Sequence, residues 1–214
     1  SDVCSSDLGD VDGCTVFASE TCAIDAVNGT AIREVEPGEM VIVTESGVES
    51  MFLPMQEETS HCVFELLYLA RTDSVIFGES VADRRLEFGR RLAQEAPAQA
   101  DIVVGMPESA NVAALGYSQE SGIPFQFGIA RNQYVGRTFI QPKQSDRDFK
   151  VGVKINAIRA ILKGQRVVLV DDSLQRGTTL RSSVKKMRAA GATAVHVRIA
   201  APPTQWPCFY GVDT

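Results

Sequence analysis

The sequence is short of the features that define several common protein classes. Its longest apolar runs, such as Val167–Val170 with its neighbours, are far below the roughly 20 residues that a membrane-spanning helix needs. The first ten residues, SDVCSSDLGD, lack the basic and apolar regions of a signal peptide. The five cysteines are an odd number without CxxC spacing, which is typical of free thiols and argues against a disulfide framework or a zinc site. We therefore expect a cytoplasmic protein that does not contact a membrane.

Positive charge is almost missing from the beginning of the chain and concentrated near its end. Residues 1–60 contain 13 acids and a single base, Arg33, whereas residues 131–188 contain 14 bases and four acids. The whole chain has a net charge of -6, which argues against a general nucleic-acid-binding protein. The basic stretch is either a solvated face or a site for a polyanionic ligand.

The length of 214 residues predicts one domain with a piece of another, and 44% hydrophobic residues are typical of a globular protein. Residues 1–13 have no clear periodicity, so we expect a frayed lead there. Residues 14–52 contain short β-type runs between turns, with one possible helical turn at 22–27. This pattern predicts a small antiparallel β piece, followed by a connector over 53–62.

Apolar runs alternate with amphipathic segments from Cys62 onward. The spacing predicts four strands, at 101–106, 123–129, 165–170 and 194–200. It predicts helices at 80–95, 111–121, 151–162 and 178–190, of which the second ends at Gly122. Alternating strands and helices form βαβ units, so the fold class is α/β with a parallel sheet.

The most informative segment is VVLVDDSLQRGTT, residues 167–179. A buried strand ends in Asp171 and Asp172, and a loop with Gly177 then leads into a helix. Ligands of open α/β sheets bind at the carboxyl ends of strands, and a helix N-terminus attracts phosphate. Ionised carboxylates accept hydrogen bonds from ribose hydroxyls or bind a divalent cation. The loop adds three hydroxyl side chains, those of Ser173, Thr178 and Thr179.

This segment also has less specific interpretations. The acid pair could merely end a strand, and Gly-Thr-Thr could merely begin a helix. A phospho-acceptor receiver domain also has an acid pair after its first strand, but it needs a later acceptor Asp and then a Lys. The only acid after Asp172 is Asp213, which weakens this alternative. The absence of GxxxxGK[ST] excludes a P-loop nucleotide hydrolase.

The segment resembles the phosphoribosylpyrophosphate (PRPP) motif of type I phosphoribosyltransferases. CVFELLYLARTDS, ADIVVGMPESA, YVGRTFIQP, VKINAIRA and AGATAVHVRIAAPPTQWPCFYGVDT resemble stretches of the glutamine PRPP amidotransferase family. VFASETCAID and REVEPGEMVIV resemble the end of that family's glutaminase domain, an Ntn-hydrolase. The resemblance implies a type I phosphoribosyltransferase fold, a parallel sheet flanked by helices, over residues 57–214, truncated at its C-terminus. It also implies a small β remnant of the glutaminase over 14–56, after a non-family lead at 1–13.

The resemblance implies a role for each matching site residue. Ser109, Asp171 and Asp172 match positions linked to Mg²⁺. Arg137 and Lys154 match basic residues that meet the pyrophosphate charge as it develops, and we expect them to be catalytic. Cys62 and Cys208 match two of the four cysteines that bind a [4Fe-4S] cluster in some members, so we expect a partial ligand set. PRPP itself is held by residues matching Asp171, Asp172, Ser173, Arg176, Gly177, Thr178 and Thr179.

The activity implied by the resemblance belongs to purine synthesis. PRPP, glutamine and water give 5-phosphoribosylamine, glutamate and pyrophosphate, and this chain holds the half that uses PRPP and ammonia. The resemblance further implies feedback inhibition by purine nucleotides and a homo-oligomer, a tetramer. The glutaminase uses an N-terminal cysteine as its nucleophile, whereas this chain begins with Ser1 in SDVCSSDL, which does not resemble the family start. We therefore expect an internal fragment. The alternatives are a regulatory module that binds PRPP without catalysis and an inactive fragment.

Overall fold

The computed structural model describes residues 6–54, 60–132, 155–206 and 208. The chain divides into two compact units, Ser1–Arg84 with Gln205–Thr214, and Arg85–Thr204. We call them the N-terminal unit and the C-terminal unit. Within the described ranges, no helix combines the length and the apolar character that a membrane crossing demands.

The N-terminal unit is built from short antiparallel strands. Strands β1 (Asp7–Val11), β2 (Cys14–Ala18) and β3 (Thr30–Glu34) form a sheet in the order β2-β1-β3, with helix α1 (Thr21–Asp25) between β2 and β3. Strands β4 (Glu39–Thr44) and β5 (Gly47–Phe52) form a separate hairpin. A π-helical turn at Glu65–Leu69 precedes a second hairpin of β6 (Val75–Ile76) and β7 (Glu79–Ser80). The predicted antiparallel β piece is thus present.

The expectation of a frayed lead over residues 1–13 is wrong for the described part of that segment. β1 is the central strand of its sheet and pairs with β2 from Asp7 to Val11. Leu8 is 4% exposed, and Ile24 of α1 lies against the backbone of the next residue, Gly9. Two of the five residues of β1 are acids and one is glycine, so the strand shows little apolar periodicity and the sequence pattern missed it.

Residues 60–84 pack with the N-terminal strands through polar contacts. The Glu20 carboxylate accepts hydrogen bonds from the main-chain N–H of Arg71 (2.7 Å) and from the Ser74 hydroxyl (2.7 Å). The Thr21 hydroxyl accepts another from Val75 N–H at 2.9 Å. The packing boundary therefore lies at residue 84. The predicted domain boundary at 56/57 falls outside the described residues and stays a prediction.

The C-terminal unit contains the predicted alternation of strands and helices. Helix α2 (Val81–Glu95) leads into it. Its elements are then β8 (Ile102–Gly105), α3 (Asn111–Ser121), β9 (Ile129–Arg131), β10 (Ile155–Ala157), α4 (Arg159–Leu162), β11 (Arg166–Asp171), α5 (Thr178–Ala189) and β12 (Ala194–Ile199). The strand order β12-β11-β8 is parallel throughout, which confirms the α/β class and the parallel sheet.

The central strand β11 is covered on both faces. Val167 and Leu169 belong to a core cluster with Leu180 and Met187 of α5. Val168 and Val170 point the other way and pack with a second cluster that includes Ala113, Ala114 and Tyr117 of α3. This two-sided burial explains why the sequence of β11 is a continuous apolar run rather than an alternating one.

Helices α2 and α3 cross at two glycines. A Cβ on Gly89 would lie 1.8 Å from the carbonyl oxygen of Ala113, and one on Gly116 would lie 2.0 Å from that of Leu86. Only hydrogen fits between the two backbones, so these glycines fix how closely α3 packs. The loop that carries Ser109 leads directly into α3.

Two predicted elements of this unit are wrong in type. Within 123–129 only Phe125 bridges to the sheet, through Val103, and β9 begins at Ile129. The described part of the predicted helix at 151–162 begins with β10, which pairs with β9 antiparallel, and only Arg159–Leu162 is helical. The conformation of both segments depends on pairing with residues distant in the sequence, and local periodicity does not reveal such pairing.

Candidate functional site

The acid pair lies where β11 leaves the sheet. The carbonyl oxygen of Asp171 accepts a hydrogen bond from Ala200 N–H at 2.9 Å, and that of Asp172 accepts one from Ala201 N–H at 2.8 Å. On the other side, Met106 N–H donates to the Val170 carbonyl at 2.8 Å. The neighbouring strands therefore fix the backbone of the acid pair on both sides.

Two hydroxyl groups converge on Asp172. Ser109 Oγ donates to Asp172 Oδ2, and Ser173 Oγ donates to Asp172 Oδ1 at 2.8 Å. Asp172 is 7% exposed, so these hydrogen bonds offset the cost of burying its charge. The structure thus brings Ser109 together with the acid pair at one sheet edge, as the sequence predicts. The residue match gives Ser173 a role in PRPP binding but does not predict its bond to Asp172.

Asp171 has a strongly perturbed carboxyl group. Burial and the neighbouring Asp172 carboxylate raise the pKa of Asp171 to about 7, although the Asp172 N–H donates to Asp171 Oδ1 at 3.0 Å and opposes the shift. The two carboxyl groups and the two serine hydroxyls at this poorly solvated edge are hard oxygen donors, the ligand type that Mg²⁺ prefers. A cation or a hydroxyl donor placed there would relieve the repulsion between the carboxylates.

The loop after the acid pair ends in a left-handed glycine that starts α5. Gly177 has a φ of 68°, which favours glycine, and its carbonyl accepts the first helical hydrogen bond from Arg181 N–H at 2.9 Å. The N–H groups of the first helical turn have no intrahelical partner and point toward the loop. The side chains of Arg176, Thr178 and Thr179 are exposed around them. The arrangement suits an anion with several oxygens.

The other predicted site residues lie either outside the described residues or in the N-terminal unit. Arg137 and Lys154 lie outside the described residues. Cys62 and Cys208 are partly buried cysteines of the N-terminal unit. In the described ranges, no three or more His, Cys, Asp or Glu side chains are grouped to hold a metal ion. Two cysteines are half of the ligands of a four-thiolate cluster, so the partial ligand set stays a prediction.

A shallow groove of about 540 Å³ occupies the opposite end of the same sheet, near Ala98, Ile123 and Arg166. Arg166 is the first residue of β11 and forms a two-pronged ion pair with Asp101, with a shortest distance of 2.6 Å. The groove therefore lies away from the acid pair and does not belong to the candidate site.

Comparisons with known proteins agree with this geometry. The family model described as "Phosphoribosyl transferase domain" matches residues 84–203. The amidophosphoribosyltransferase of Mycobacterium bovis is 50% identical over 206 residues, which are 96% of this chain and 39% of the relative. That of Synechocystis is 50% identical over 199 residues, 93% of this chain and 40% of the relative. The chain thus spans about two fifths of these relatives.

A solved structure shows the same likeness in three dimensions. The glutamine PRPP amidotransferase of B. subtilis, complexed with ADP and GMP, superimposes with a TM-score of 0.90 at 48% identity. The match covers 99% of this chain and 47% of that one. The expected fold and the resemblance to amidophosphoribosyltransferases are therefore confirmed, and the chain belongs to the phosphoribosyltransferase domain family.

Proposed function

We propose that this chain is the PRPP-binding half of an amidophosphoribosyltransferase of purine synthesis. The observation that carries the proposal is the acid pair at the end of β11, which a short loop connects to the glycine that opens α5. One ligand with a ribose and several phosphate groups can use both features at once. The identity of about 50% to amidophosphoribosyltransferases supports the same conclusion.

Each side chain of the site has a role in this reaction. The N–H groups at the start of α5, with Thr178 and Thr179, bind a phosphate of PRPP. Asp171 and Asp172 orient the ribose and would hold Mg²⁺, with Ser109 fixing the Asp172 carboxylate. When bound, Mg²⁺ supplies charge neutralisation for the pyrophosphate leaving group. Arg137 and Lys154, which lie outside the described residues, would supply positive charge to the same group.

The reaction balances without a further co-reactant. The ammonia nitrogen forms a bond to ribose C1 as the C1–O bond to pyrophosphate breaks, and the leaving oxygen keeps that electron pair. The nitrogen then loses a proton to water. Glutamine hydrolysis would supply ammonia in a longer protein, whereas this chain would use free ammonia. Cys62 and Cys208 would supply two of the four thiolates of the predicted [4Fe-4S] cluster, and the other two would come from a longer protein.

The feedback nucleotides, the tetramer and the cytoplasmic location are further predictions for this chain. Feedback inhibition by purine nucleotides and a tetrameric assembly stay predictions for this chain, although the B. subtilis relative is described with ADP and GMP bound. The cytoplasmic location also stays a prediction, because plant relatives with the same identity are named chloroplastic.

The test is release of pyrophosphate from PRPP by ammonium chloride and Mg²⁺, together with melting curves with and without PRPP. We expect turnover, and a higher melting temperature with PRPP because a ligand of the folded state stabilises it. An Asp171→Asn/Asp172→Asn variant is expected to lose both effects. A control variant, Glu87→Gln/Glu95→Gln, removes two exposed acids from α2 and is expected to keep them.

Two results would contradict the proposal to different extents. Stabilisation by PRPP without any turnover would favour a regulatory module that binds PRPP and does not catalyse. A folded chain that neither binds PRPP nor releases pyrophosphate would leave an inactive fragment.

A further inference from the structure

The outer face of α5 carries positive charge along most of its length. Arg181, Lys185 and Arg188 are all exposed and follow one another at intervals of four and three residues. At 3.6 residues per turn, this spacing places the three side chains on one face, which we call the basic face. The opposite face of α5 is buried through Leu180, Ser183 and Met187.

Among the described residues, no acid forms an ion pair with the basic face. α5 contains no acid, and between residues 155 and 191 the only acids are Asp171 and Asp172 of the candidate site. In the part of the chain that the structure describes, the ion pairs do not include Arg181, Lys185 or Arg188. Basic residues are also exposed beyond the end of the helix, where Arg159 donates to the Ala189 carbonyl at 3.2 Å.

Helix stability does not explain this arrangement. Arg181 and Lys185 are like charges four residues apart, a pair that destabilises a helix. Arg181 also lies close to the positive end of the helix dipole, where a cation is unfavourable. Only Arg188, in the last turn, gains from the dipole. A glutamine at 181 or 185 would remove the repulsion between the two cations and would have a similar helix propensity.

The position of the basic face relative to the site is fixed by α5. Arg181 N–H is bonded to the carbonyl of Gly177, so the face begins one turn after the glycine that opens the anion-binding loop. Arg188 follows about 10 Å further along the axis, at 1.5 Å per residue. The Debye length in physiological salt is about 8 Å, so the field of Arg181, about 6 Å along the axis from Gly177, reaches the loop. The fields of Lys185, at about 12 Å, and of Arg188 are weaker there and grow at low salt.

We propose that the basic face of α5 steers a multiply charged phosphate ligand to the anion-binding loop at Gly177. This inference rests on the proposed function, with PRPP as the ligand. Steering by a local field raises the rate of association and leaves the bound complex unchanged, because the cations do not touch the ligand.

The experiment measures the association and dissociation rates of Mg²⁺-PRPP on the full chain by stopped flow at several salt concentrations. The variant Arg181→Gln/Lys185→Gln removes two charges near the loop. The control Arg90→Gln/Arg91→Gln removes two charges from α2, on the other side of the sheet. For the α5 variant at low salt, we expect roughly threefold to tenfold slower association. We also expect a smaller dependence on salt, an unchanged dissociation rate and a melting temperature that does not fall.

The possible outcomes separate this inference from the proposed function. Equal association rates and salt dependence for the parent chain and the α5 variant would overturn the steering role while leaving PRPP binding in place. An equal loss in the α2 control would also overturn it, because net charge alone would then be responsible. Faster dissociation of the α5 variant would identify a direct ligand contact instead. A parent chain that does not bind PRPP would overturn the proposed function and the inference with it.

Discussion

The two compact units cover their strands in different ways. β11 of the C-terminal unit has four consecutive buried residues, whereas every residue of β5 in the N-terminal unit is exposed. The C-terminal unit has helices on both faces of its sheet, and its core consists of aliphatic side chains from both faces. The N-terminal unit relies more on polar contacts to Glu20, Thr21 and Glu39. We therefore expect packing mutations to dominate in one unit and charge mutations in the other.

The largest expected effect is overpacking at the crossing of α2 and α3. Gly116→Val places a side chain where even a Cβ would be 2.0 Å from the Leu86 carbonyl oxygen. The helices must separate, and we expect a loss of about 3 kcal/mol or more in the free energy of unfolding. Leu115→Val introduces the same residue at an exposed position of α3 and is expected to cost a few tenths of a kcal/mol. Denaturant unfolding of both variants measures the difference, and equal costs would contradict close packing at Gly116.

In the N-terminal unit the largest expected effect is a dependence of stability on pH. Asp7 is 1% exposed, and its Oδ2 has no hydrogen-bond partner among the residues that the structure describes. Burial, together with Glu34 and Glu20, raises the pKa of Asp7 to about 6 from an ordinary value of 3.8. The folded state therefore binds the proton more tightly than the unfolded state. The contribution of Asp7 to the free energy of unfolding is therefore largest below pH 4, and it is lost as the pH rises through about 6.

The variant Asp7→Asn isolates this effect. Ionisation of Asp7 lowers the parent's free energy of unfolding by up to about 3 kcal/mol between pH 4 and pH 7. The asparagine side chain does not ionise, so we expect Asp7→Asn to be more stable than the parent at pH 7.5. Hydrogen exchange of the β1 amides at pH 5 and pH 7.5 measures the change. Asp12→Asn removes an exposed acid from the adjoining turn and is the matched control. If the parent and Asp7→Asn differ in β1 protection by the same amount at pH 5 and at pH 7.5, the raised pKa of Asp7 is contradicted.

We expect ion pairs to contribute differently to the stability of the two units. Arg33 donates to both carboxylate oxygens of Glu39, at 2.8 and 2.6 Å, and the Glu39 side chain is 1% exposed. These bonds and one from Ser50 hold the pKa of Glu39 at about 2, so the pair persists throughout the range in which Asp7 titrates. Arg91 and Glu95 of α2 form an exposed pair at 2.7 Å.

We expect Arg33→Gln to lower the melting temperature more than Arg91→Gln does. The first change leaves a shielded carboxylate without its charged partner, whereas an exposed pair on a helix contributes about 0.5 kcal/mol or less. Thermal unfolding at pH 7 compares the two variants. A larger drop for Arg91→Gln would contradict the view that the N-terminal unit depends on polar contacts.

The sequence predicts the C-terminal unit better than the N-terminal one, for a physical reason. β11 is buried on both faces, so its apolar run is unmistakable, and α3 ends at Gly122, which has a φ of 71°. The bond from Ser109 to Asp172 follows from two strands ending at one sheet edge. β1 is missed because Asp7 and Asp10 interrupt the hydrophobic pattern that would indicate a strand. The polar attachment of residues 60–84 is missed because contacts over about 50 residues leave no local pattern.

The smallest expected effect on stability lies in the candidate site, where its consequence for binding is larger. Ser109→Ala removes one of the two hydroxyls bonded to Asp172, and the site can admit water in its place, so we expect a loss of about 1 kcal/mol in stability. The Asp172 carboxylate is then held by Ser173 alone, and the rise in melting temperature caused by Mg²⁺-PRPP is expected to shrink. Ser121→Ala is the matched control, because it removes a hydroxyl that donates to the Tyr117 carbonyl at 2.7 Å at the end of α3, away from the acid pair. If the two variants lose equal stability and keep equal stabilisation by Mg²⁺-PRPP, Ser109 serves only the fold. If only Ser109→Ala loses the ligand effect, the hydroxyl orients Asp172 for binding.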